Sequence, residues 1–278
     1  MTLIVGIQCS DGVVMASDSA ATLSTGAAAT IGQQRIKKIM NLSSSILYAA
    51  TGSVGMAQLV SHSISTVWKA RGAQFQNPGA MDGEVMKVLG SEIAQTVHQY
   101  LQTGALTRQL GIDGSGSLCK SLVAMPVQKI PQLFCFDFGG QPEMATADLP
   151  FMAVGSGQPI ADPFLAFLKR LFWPNRVPTL AEGRLAAVWT IAHVTKTNPG
   201  GVGGDIQLWM LARGQAGNAP TIVELKLDQI QEHLNQVSAA ERALTDALTP
   251  QPAHPVPGHP QGSHGQPSGP PATPPPPA

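Results

Sequence analysis

A threonine stands directly after Met1, and its hydroxyl and its nitrogen could together perform nucleophilic chemistry. Methionine before a small residue is normally trimmed, so we expect the mature chain to begin at Thr2 with a free α-amine. A hydroxyl and an amine on one residue form a nucleophile with its own base, which is what acyl transfer requires. The alternative, usual for an arbitrary chain, is that Thr2 merely starts an edge strand.

A carboxylate and a lysine follow Thr2 at positions from which they could join it. Asp18 comes at the end of a predicted strand, and Lys38 closes the basic pair Lys37-Lys38. An ammonium group oriented by a carboxylate would favour the alkoxide form of the hydroxyl. Alternation along a strand sends neighbouring residues to opposite faces, so only one of the two lysines can face Thr2. The alternative is that both lysines are solvated.

The residues between Thr2 and Asp18 predict two adjacent buried strands. Leu3 to Gln8 and Val13 to Ser17 are short apolar and β-branched runs, and Ser10-Asp11-Gly12 between them has the length of a hairpin turn. A secretory signal would need a basic start and a longer apolar block, and this segment has neither. We therefore expect it to be built into the fold.

A strand, a glycine and a helix are predicted in succession from residue 45. Ser45 to Thr51 indicates a buried strand that ends at Gly52, and apolar residues recur near the helical period from Met56 to Lys69. A glycine turn before a helix N-terminus presents backbone N–H groups that could stabilise an oxyanion. Gly52 could equally be a plain left-handed turn glycine, and both interpretations can hold together.

The rest of the chain alternates predicted strands and helices, which supports an α+β class. The predicted helices span about 82–103, 160–172, 180–196 and 229–248, and the predicted strands span 33–39, 118–126, 132–138, 151–154, 206–212 and 221–225. Residues 249–278 are rich in Pro, Gly and His and carry no charge. We therefore expect one domain at 1–248 and a disordered, polyproline-II-like tail at 249–278.

Composition excludes several classes of function. The formal charges sum to zero and only 12% of residues are charged, so we expect no nucleic-acid partner and no polybasic membrane patch. The sequence has no uninterrupted apolar run long enough for a transmembrane helix. Cys9, Cys119 and Cys135 are odd in number and unclustered, which favours reduced core thiols in a cytoplasmic protein and argues against metal binding. We expect no cofactor.

Short motifs occur in a specific order and spacing between residues 2 and 226. They are Thr2-Leu3-Ile4-Val5-Gly6-Ile7, Asp11 to Thr22, Lys37-Lys38-Ile39, Gly52-Ser53-Val54-Gly55 and Gly155-Ser156-Gly157. Together they resemble the proteasome β-subunit family and its bacterial relatives of the HslV and Anbu kinds. The resemblance implies a four-layer αββα sandwich of the N-terminal-nucleophile hydrolase type. It also implies stacked homo-oligomeric rings, often with an ATPase or cap partner.

The resemblance also implies roles for individual residues. Thr2 would be the nucleophile of a self-compartmentalising threonine peptidase that acts on peptides or unfolded proteins. Lys38 and Asp18 would supply the charged pair, Gly52 the oxyanion donor and Ser156 a hydroxyl that relays the proton of the amine. No propeptide beyond Met1 is expected, so self-cleavage would not be needed.

The primary substrate pocket can be placed by counting along the family pattern from Lys38. Its lining falls on residues that are all apolar: Ala21, Ile36, Met40, Ala50 and Val54. An uncharged pocket would leave a charged substrate side chain desolvated and unpaired. We therefore expect an uncharged, apolar residue before the scissile bond.

One glycine-rich stretch, residues 198–205 (the glycine-rich loop), departs from the proteasome pattern. Proteasome subunits place an aspartate and a serine before the paired glycines to support the N-terminal amine, and this chain has Pro199 and Val202 at about those positions. HslV-type peptidases also lack that pair. Two alternatives to a peptidase therefore stay open: a hydrolase of small amides with the same nucleophile, and a catalytically inert ring scaffold.

Overall fold

The computed structural model describes residues 2–22, 33–109, 118–198, 202–215 and 218–249, together with Gly269. By internal contacts the chain divides into two units, Met1–Ala239 and Ala240–Ala278, and every described strand belongs to the first. The predicted tail at 249–278 lies outside the described residues apart from Thr249 and Gly269. Pro199 lies outside them as well.

Strands and helices form where the apolar patterns predict them, with a few additions. In chain order the strands are β1 (Leu3–Cys9), β2 (Gly12–Ser17), β3 (Ala20–Thr22), β4 (Gln33–Arg35), β5 (Ile39–Leu42), β6 (Ile46–Gly52), β7 (Cys119–Val127), β8 (Ile130–Phe136), β9 (Pro142–Met144), β10 (Phe151–Gly155), β11 (Gln207–Ala212) and β12 (Thr221–Glu224). The helices are α1 (Val54–Phe75), α2 (Asp82–Gln109), α3 (Gln158–Phe172), α4 (Leu180–Thr197) and α5 (Leu227–Leu248).

The described strands form two five-stranded antiparallel sheets and one short extra ladder. The first sheet has the order β10-β1-β2-β11-β12, and the second has the order β5-β6-β7-β8-β9. Strands β3 and β4 pair only with each other. The hairpin of β1 and β2 thus lies at the centre of the first sheet, where both of its faces are covered.

Apolar side chains of the two sheets meet in one shared core. Alternation along β1 and β2 sends one set of residues towards the second sheet. The buried residues of this core include Ile4, Val13, Met15, Val154, Leu47, Leu122 and Leu133. Gly6 also faces this layer, because a Cβ built on it would lie 2.8 Å from Cδ1 of Leu133. The side chain of Leu133 therefore occupies the space that a side chain at residue 6 would need.

Gln8 bonds the two sheets directly at one end of this core. Its Nε2 donates to the carbonyl of Pro131 at 3.0 Å, and the N–H of Leu133 donates to its Oε1 at 3.0 Å. A polar side chain between two sheets is acceptable only when its hydrogen bonds are made. Both ends of this amide are satisfied.

Helices cover the outer faces of both sheets, which confirms the predicted αββα sandwich. Helices α1 and α2 pack on the second sheet through a core that includes Val60, Ile64, Leu89 and Ile93. Helices α3 and α4 pack on the first sheet. None of the described helices is both long and apolar enough to cross a membrane.

The predicted strand at 33–39 is wrong in its centre. Strand β4 ends at Arg35 and β5 begins at Ile39, and the Ile36–Lys38 segment between them belongs to no strand. A side-chain amide bonds this segment instead of a neighbouring strand: Nε2 of Gln207 donates to the Ile36 carbonyl and Lys38 N–H donates to Oε1 of Gln207. The short strands β3 and β9 were not predicted, because three residues are too few to show a periodicity.

Gly6→Ala should destabilise the protein by about 1–3 kcal/mol, because the added methyl group overpacks the core between the sheets. The side chain of Leu133 would have to move away from its present position. Urea unfolding at one fixed protein concentration measures the effect. Gly83→Ala in α2 is the matched control, since nothing lies within 4 Å of a Cβ there. Equal midpoints for Gly6→Ala and wild type would contradict this account of the core.

Candidate active site

Thr2 is held where the start of β1 meets the end of β10. Gly157 N–H donates to the Thr2 carbonyl at 3.3 Å, and Leu3 pairs in register with Gly155. Gly155 has a φ of 107°, and a Cβ there would lie 2.1 Å from the Thr2 carbonyl oxygen. Only glycine permits this approach, which fixes the position of the Thr2 backbone.

The nitrogen of Thr2 lies beside the hydroxyl of Ser156. Thr2 N–H donates to Ser156 Oγ at 3.1 Å, and that hydroxyl can in turn donate to the Thr2 carbonyl at 3.4 Å. With Met1 attached, this nitrogen is a peptide amide, and in a trimmed chain it would be the α-amine. Thr2 is half-buried and Ser156 is exposed, so a substrate can reach both.

Asp18 connects three separate parts of the chain through its carboxylate. Its Oδ1 accepts from Leu3 N–H at 2.9 Å and from Lys38 Nζ at 2.6 Å. Its Oδ2 accepts from Gly203 N–H at 3.2 Å. The aspartate thus fixes the residue that follows Thr2, the lysine, and the glycine-rich loop relative to one another.

Lys38 and Asp18 form a buried ion pair. Their side chains are 3% and 1% exposed, so both charges are removed from water. Burial lowers the pKa of Lys38 below its ordinary value, while the hydrogen bond and the charge of Asp18 oppose that change. An ammonium without such a partner would lose its proton or disrupt the fold.

Gly52 lies at the junction of β6 and α1. Its φ is 109°, and a Cβ would lie 2.3 Å from the carbonyl oxygen of Leu118, so the turn requires glycine. Ser53 caps the helix, because its side chain accepts from Met56 N–H at 3.3 Å. The junction brings the N-terminus of α1 to the same cavity as Thr2.

A cavity of about 450 Å³ opens beside Thr2, within the size range of substrate pockets. All five residues of the predicted pocket line it, together with Thr2, Lys38, Gly52 and Ser156. Asp18 lies outside the lining, since it is buried against Lys38. The structure therefore gathers the sequence-predicted residues in one place.

Four further residues line the cavity and were missed by the sequence analysis: Lys37, Thr51, Ala57 and Gln58. Ala57 and Gln58 follow Val54 by three and four positions on α1, which puts them on the same face of the helix. That spacing could have identified them. Lys37 is 73% exposed and its Nζ lies 3.3 Å from Oε1 of Glu224, so it belongs to the rim.

The glycine-rich loop supports Asp18 through a backbone hydrogen bond from Gly203. Val202 is buried, and its Cγ2 lies 3.1 Å from where a Cβ on Gly157 would be. The next residue, Gly203, supplies the N–H to Asp18. Asp205 forms an ion pair with Arg35 at 2.8 Å and does not line the cavity. The described residues of this stretch therefore contribute an apolar contact from Val202 and a backbone donor from Gly203.

Comparison with protein families matches residues 2–196 to the family described as proteasome subunit. No curated protein matches the sequence. Among solved structures, Anbu (ancestral beta-subunit) from Yersinia bercovieri is 14% identical, with a TM-score of 0.59 over 91% of this chain and 98% of that one. The Anbu complex from Pseudomonas aeruginosa, solved as a helical assembly, is 17% identical, with a TM-score of 0.61 over 90% and 98%.

A third similar structure is an Anbu (Gly-1) mutant from Hyphomicrobium sp. strain MC1. It is 16% identical, with a TM-score of 0.62 over 91% of this chain and 100% of that chain. Because these identities are low, the similarity to the three structures shows a shared fold and nothing more.

Asp18→Asn should destabilise the fold by about 3–5 kcal/mol, because it leaves the Lys38 ammonium buried without its carboxylate. The double variant Asp18→Asn/Lys38→Met removes both charges and should lose less. Urea unfolding of both variants at one protein concentration gives the comparison. Equal losses in the single and double variants would show that the charge on Lys38 is not what Asp18 stabilises.

Proposed function

The chain belongs to the proteasome subunit family, and from this membership we propose that Thr2, freed of Met1, is the nucleophile of a threonine-type peptide hydrolase. One observation carries the proposal. The Thr2 nitrogen contacts Ser156 Oγ, while the next residue, Leu3, donates its N–H to the carboxylate that holds Lys38. The proposed nucleophile and base are both on Thr2, and the next residue, Leu3, bonds the carboxylate that holds the cation.

The proposed reaction begins with the α-amine of Thr2, whose ordinary pKa is about 7.7–8. The amine accepts the proton of its own hydroxyl, directly or through a water at Ser156. The hydroxyl oxygen attacks the amide carbonyl and forms a tetrahedral oxyanion. The leaving amine takes the proton from the ammonium of Thr2, and an ester with the Thr2 oxygen remains. Water then hydrolyses the ester and regenerates the hydroxyl.

Two groups stabilise the charges that develop in this mechanism. The Lys38 ammonium favours the alkoxide, and Asp18 keeps that ammonium charged and oriented against the cost of burial. The N–H of Gly52 serves as the oxyanion donor, at the N-terminus of α1 where backbone dipoles favour negative charge.

We propose peptides or unfolded proteins as the substrates. The five pocket residues are apolar, and the lysine at the rim is paired with Glu224, so the pocket offers little to a charged side chain. Small amides remain the alternative substrate class, and an inert scaffold remains the alternative role. The support that Gly203 gives to Asp18 favours an active site over a scaffold, because it orients the lysine that the mechanism needs.

We also propose homo-oligomeric assembly in stacked rings, with an ATPase or cap as a possible partner. The Anbu complex of P. aeruginosa was solved as a helical assembly. In this chain the apolar side chains of Phe167, Leu171 and Phe172 on α3 are exposed, as expected for a surface that other subunits cover. Three unpaired, buried cysteines support a cytoplasmic location.

A peptide epoxyketone, which can react with an amine and its neighbouring hydroxyl, should add once to the native protein at Thr2. The intact mass should show loss of Met1 and one adduct, and fragmentation should place the adduct on Thr2. Thr2→Ala is the matched control and should stay unmodified. Lys38→Ala should be modified at least about tenfold more slowly, since the alkoxide loses its cation. Retained Met1 or an unmodified wild type would overturn the proposal.

Short fluorogenic peptides should be cleaved after Leu, Phe or Tyr at least about tenfold faster than after Arg or Glu. The reason is the cost of several kcal/mol for burying an unpaired charge in an apolar pocket. Val54→Arg, at a position in the cavity lining that is 67% exposed, should raise cleavage after Glu. Single amino-acid amides in the same assay test the small-amide alternative. A wild-type preference for Arg or Glu would contradict the pocket.

A further inference from the structure

The Ile36–Lys38 segment carries the lysine of the ion pair without the support of a sheet. It connects β4 to β5 and belongs to neither. Its first residue lines the substrate cavity, and its last residue points its ammonium at Asp18. A segment outside the ladders would ordinarily be the least fixed part of such a site.

One side chain supplies the hydrogen bonds that a neighbouring strand would have made. Gln207 Nε2 donates to the Ile36 carbonyl at 2.5 Å, and Lys38 N–H donates to Gln207 Oε1 at 3.0 Å. Ile36 N–H donates to the Ser19 carbonyl at 2.9 Å on the other side. The amide of Gln207 therefore bonds the segment at both of its ends.

Gln207 is connected to Asp18 as well as to Lys38. It is the first residue of β11, and it pairs in register with Ser17 on β2, the residue directly before Asp18. The backbone of Gln207 thus fixes the strand that presents the carboxylate, while its side chain fixes the backbone of the lysine. Gln207 therefore helps to position both Asp18, through β2, and Lys38, through its backbone.

We infer that Gln207 is a positioning residue, which holds Lys38 on Asp18 and thereby sets the reactivity of Thr2. The part that concerns Thr2 rests on the proposed function. Fixing the backbone of Lys38 sets the point from which its flexible side chain reaches Asp18, and the ion pair then holds the ammonium itself. A displacement of about 1 Å in such a site can lower a rate about 100-fold.

The chain contains a matched control for the loss of such an amide. Gln76 makes the same two kinds of bond at the turn between β7 and β8: its Nε2 donates to the Pro126 carbonyl at 3.1 Å, and Lys129 N–H donates to its Oε1 at 3.1 Å. Gln76 does not line the substrate cavity. Gln76→Met removes the same interactions without touching Lys38.

The first measurement is independent of catalysis and compares two adjacent lysines. Brief acetylation of the full-length native protein, followed by peptide fragmentation, gives the modification of Lys38 relative to Lys37. The Lys37 side chain is 73% exposed and that of Lys38 is 3% exposed, so wild type should be modified at Lys37. Gln207→Met, which nearly keeps the side-chain volume, should raise the relative modification of Lys38 several-fold. Gln76→Met should not.

The second measurement is the rate at which the epoxyketone modifies Thr2. Gln207→Met should lower this rate between about 10-fold and 100-fold. Gln207→Glu should fall between wild type and Gln207→Met, since a carboxylate can accept from Lys38 N–H but cannot donate to Ile36. Gln76→Met should react like wild type. Melting temperatures of all variants separate these effects from unfolding.

The two measurements separate the failure of this inference from the failure of the proposed function. An unmodified wild-type Thr2 would refute the peptidase, and the acetylation ratio would still decide whether Gln207 holds Lys38. An unchanged ratio in folded Gln207→Met would overturn the inference. A changed ratio with a wild-type rate at Thr2 would overturn its catalytic part.

Discussion

The buried ion pair of Asp18 and Lys38 is the interaction on which the site depends. Burying two charges is expensive, and the cost is offset only when geometry and additional hydrogen bonds are both good. The carboxylate of Asp18 meets this condition through Leu3 and Gly203, which come from β1 and from the glycine-rich loop. Distant parts of the chain must therefore all be in place before the ammonium can stay charged. The same hydrogen bonds help to fix Thr2, the proposed nucleophile, because Leu3 directly follows it.

Three glutamine side chains among the described residues hydrogen-bond backbone groups that no neighbouring strand bonds. Gln8 bonds Pro131 and Leu133 across the two sheets, Gln76 bonds the β7–β8 turn, and Gln207 bonds the segment of Lys38. In each case one amide satisfies a carbonyl and an N–H of the backbone at once. Such bonds give a fixed geometry where no regular ladder can form. The proposed role of Lys38 thus depends on a kind of side-chain hydrogen bonding that the fold also uses elsewhere.

Most strands and helices could be predicted from local patterns, such as the apolar run Leu3 to Gln8 and the near-helical spacing after Gly52, whereas the αββα arrangement followed from the resemblance to the family. The lining of the cavity could be counted from Lys38, since local spacing carries over from the family pattern. Gln207 could not be found in this way. A glutamine at the start of a strand has no local signature, and its role exists only because β11 pairs beside Asp18. Its partner segment was likewise mistaken for strand.

The hydrogen bonds that hold Thr2 have a practical consequence for recombinant production. The carbonyl of Thr2 accepts from Gly157 N–H and leaves no room for a Cβ on Gly155, and the nitrogen of Thr2 contacts Ser156 Oγ. An affinity tag fused upstream would extend the chain from that nitrogen and convert the proposed base into an amide. The proposed chemistry therefore favours a purification handle on the C-terminal side, because an upstream fusion would block the proposed base whatever the geometry of the site.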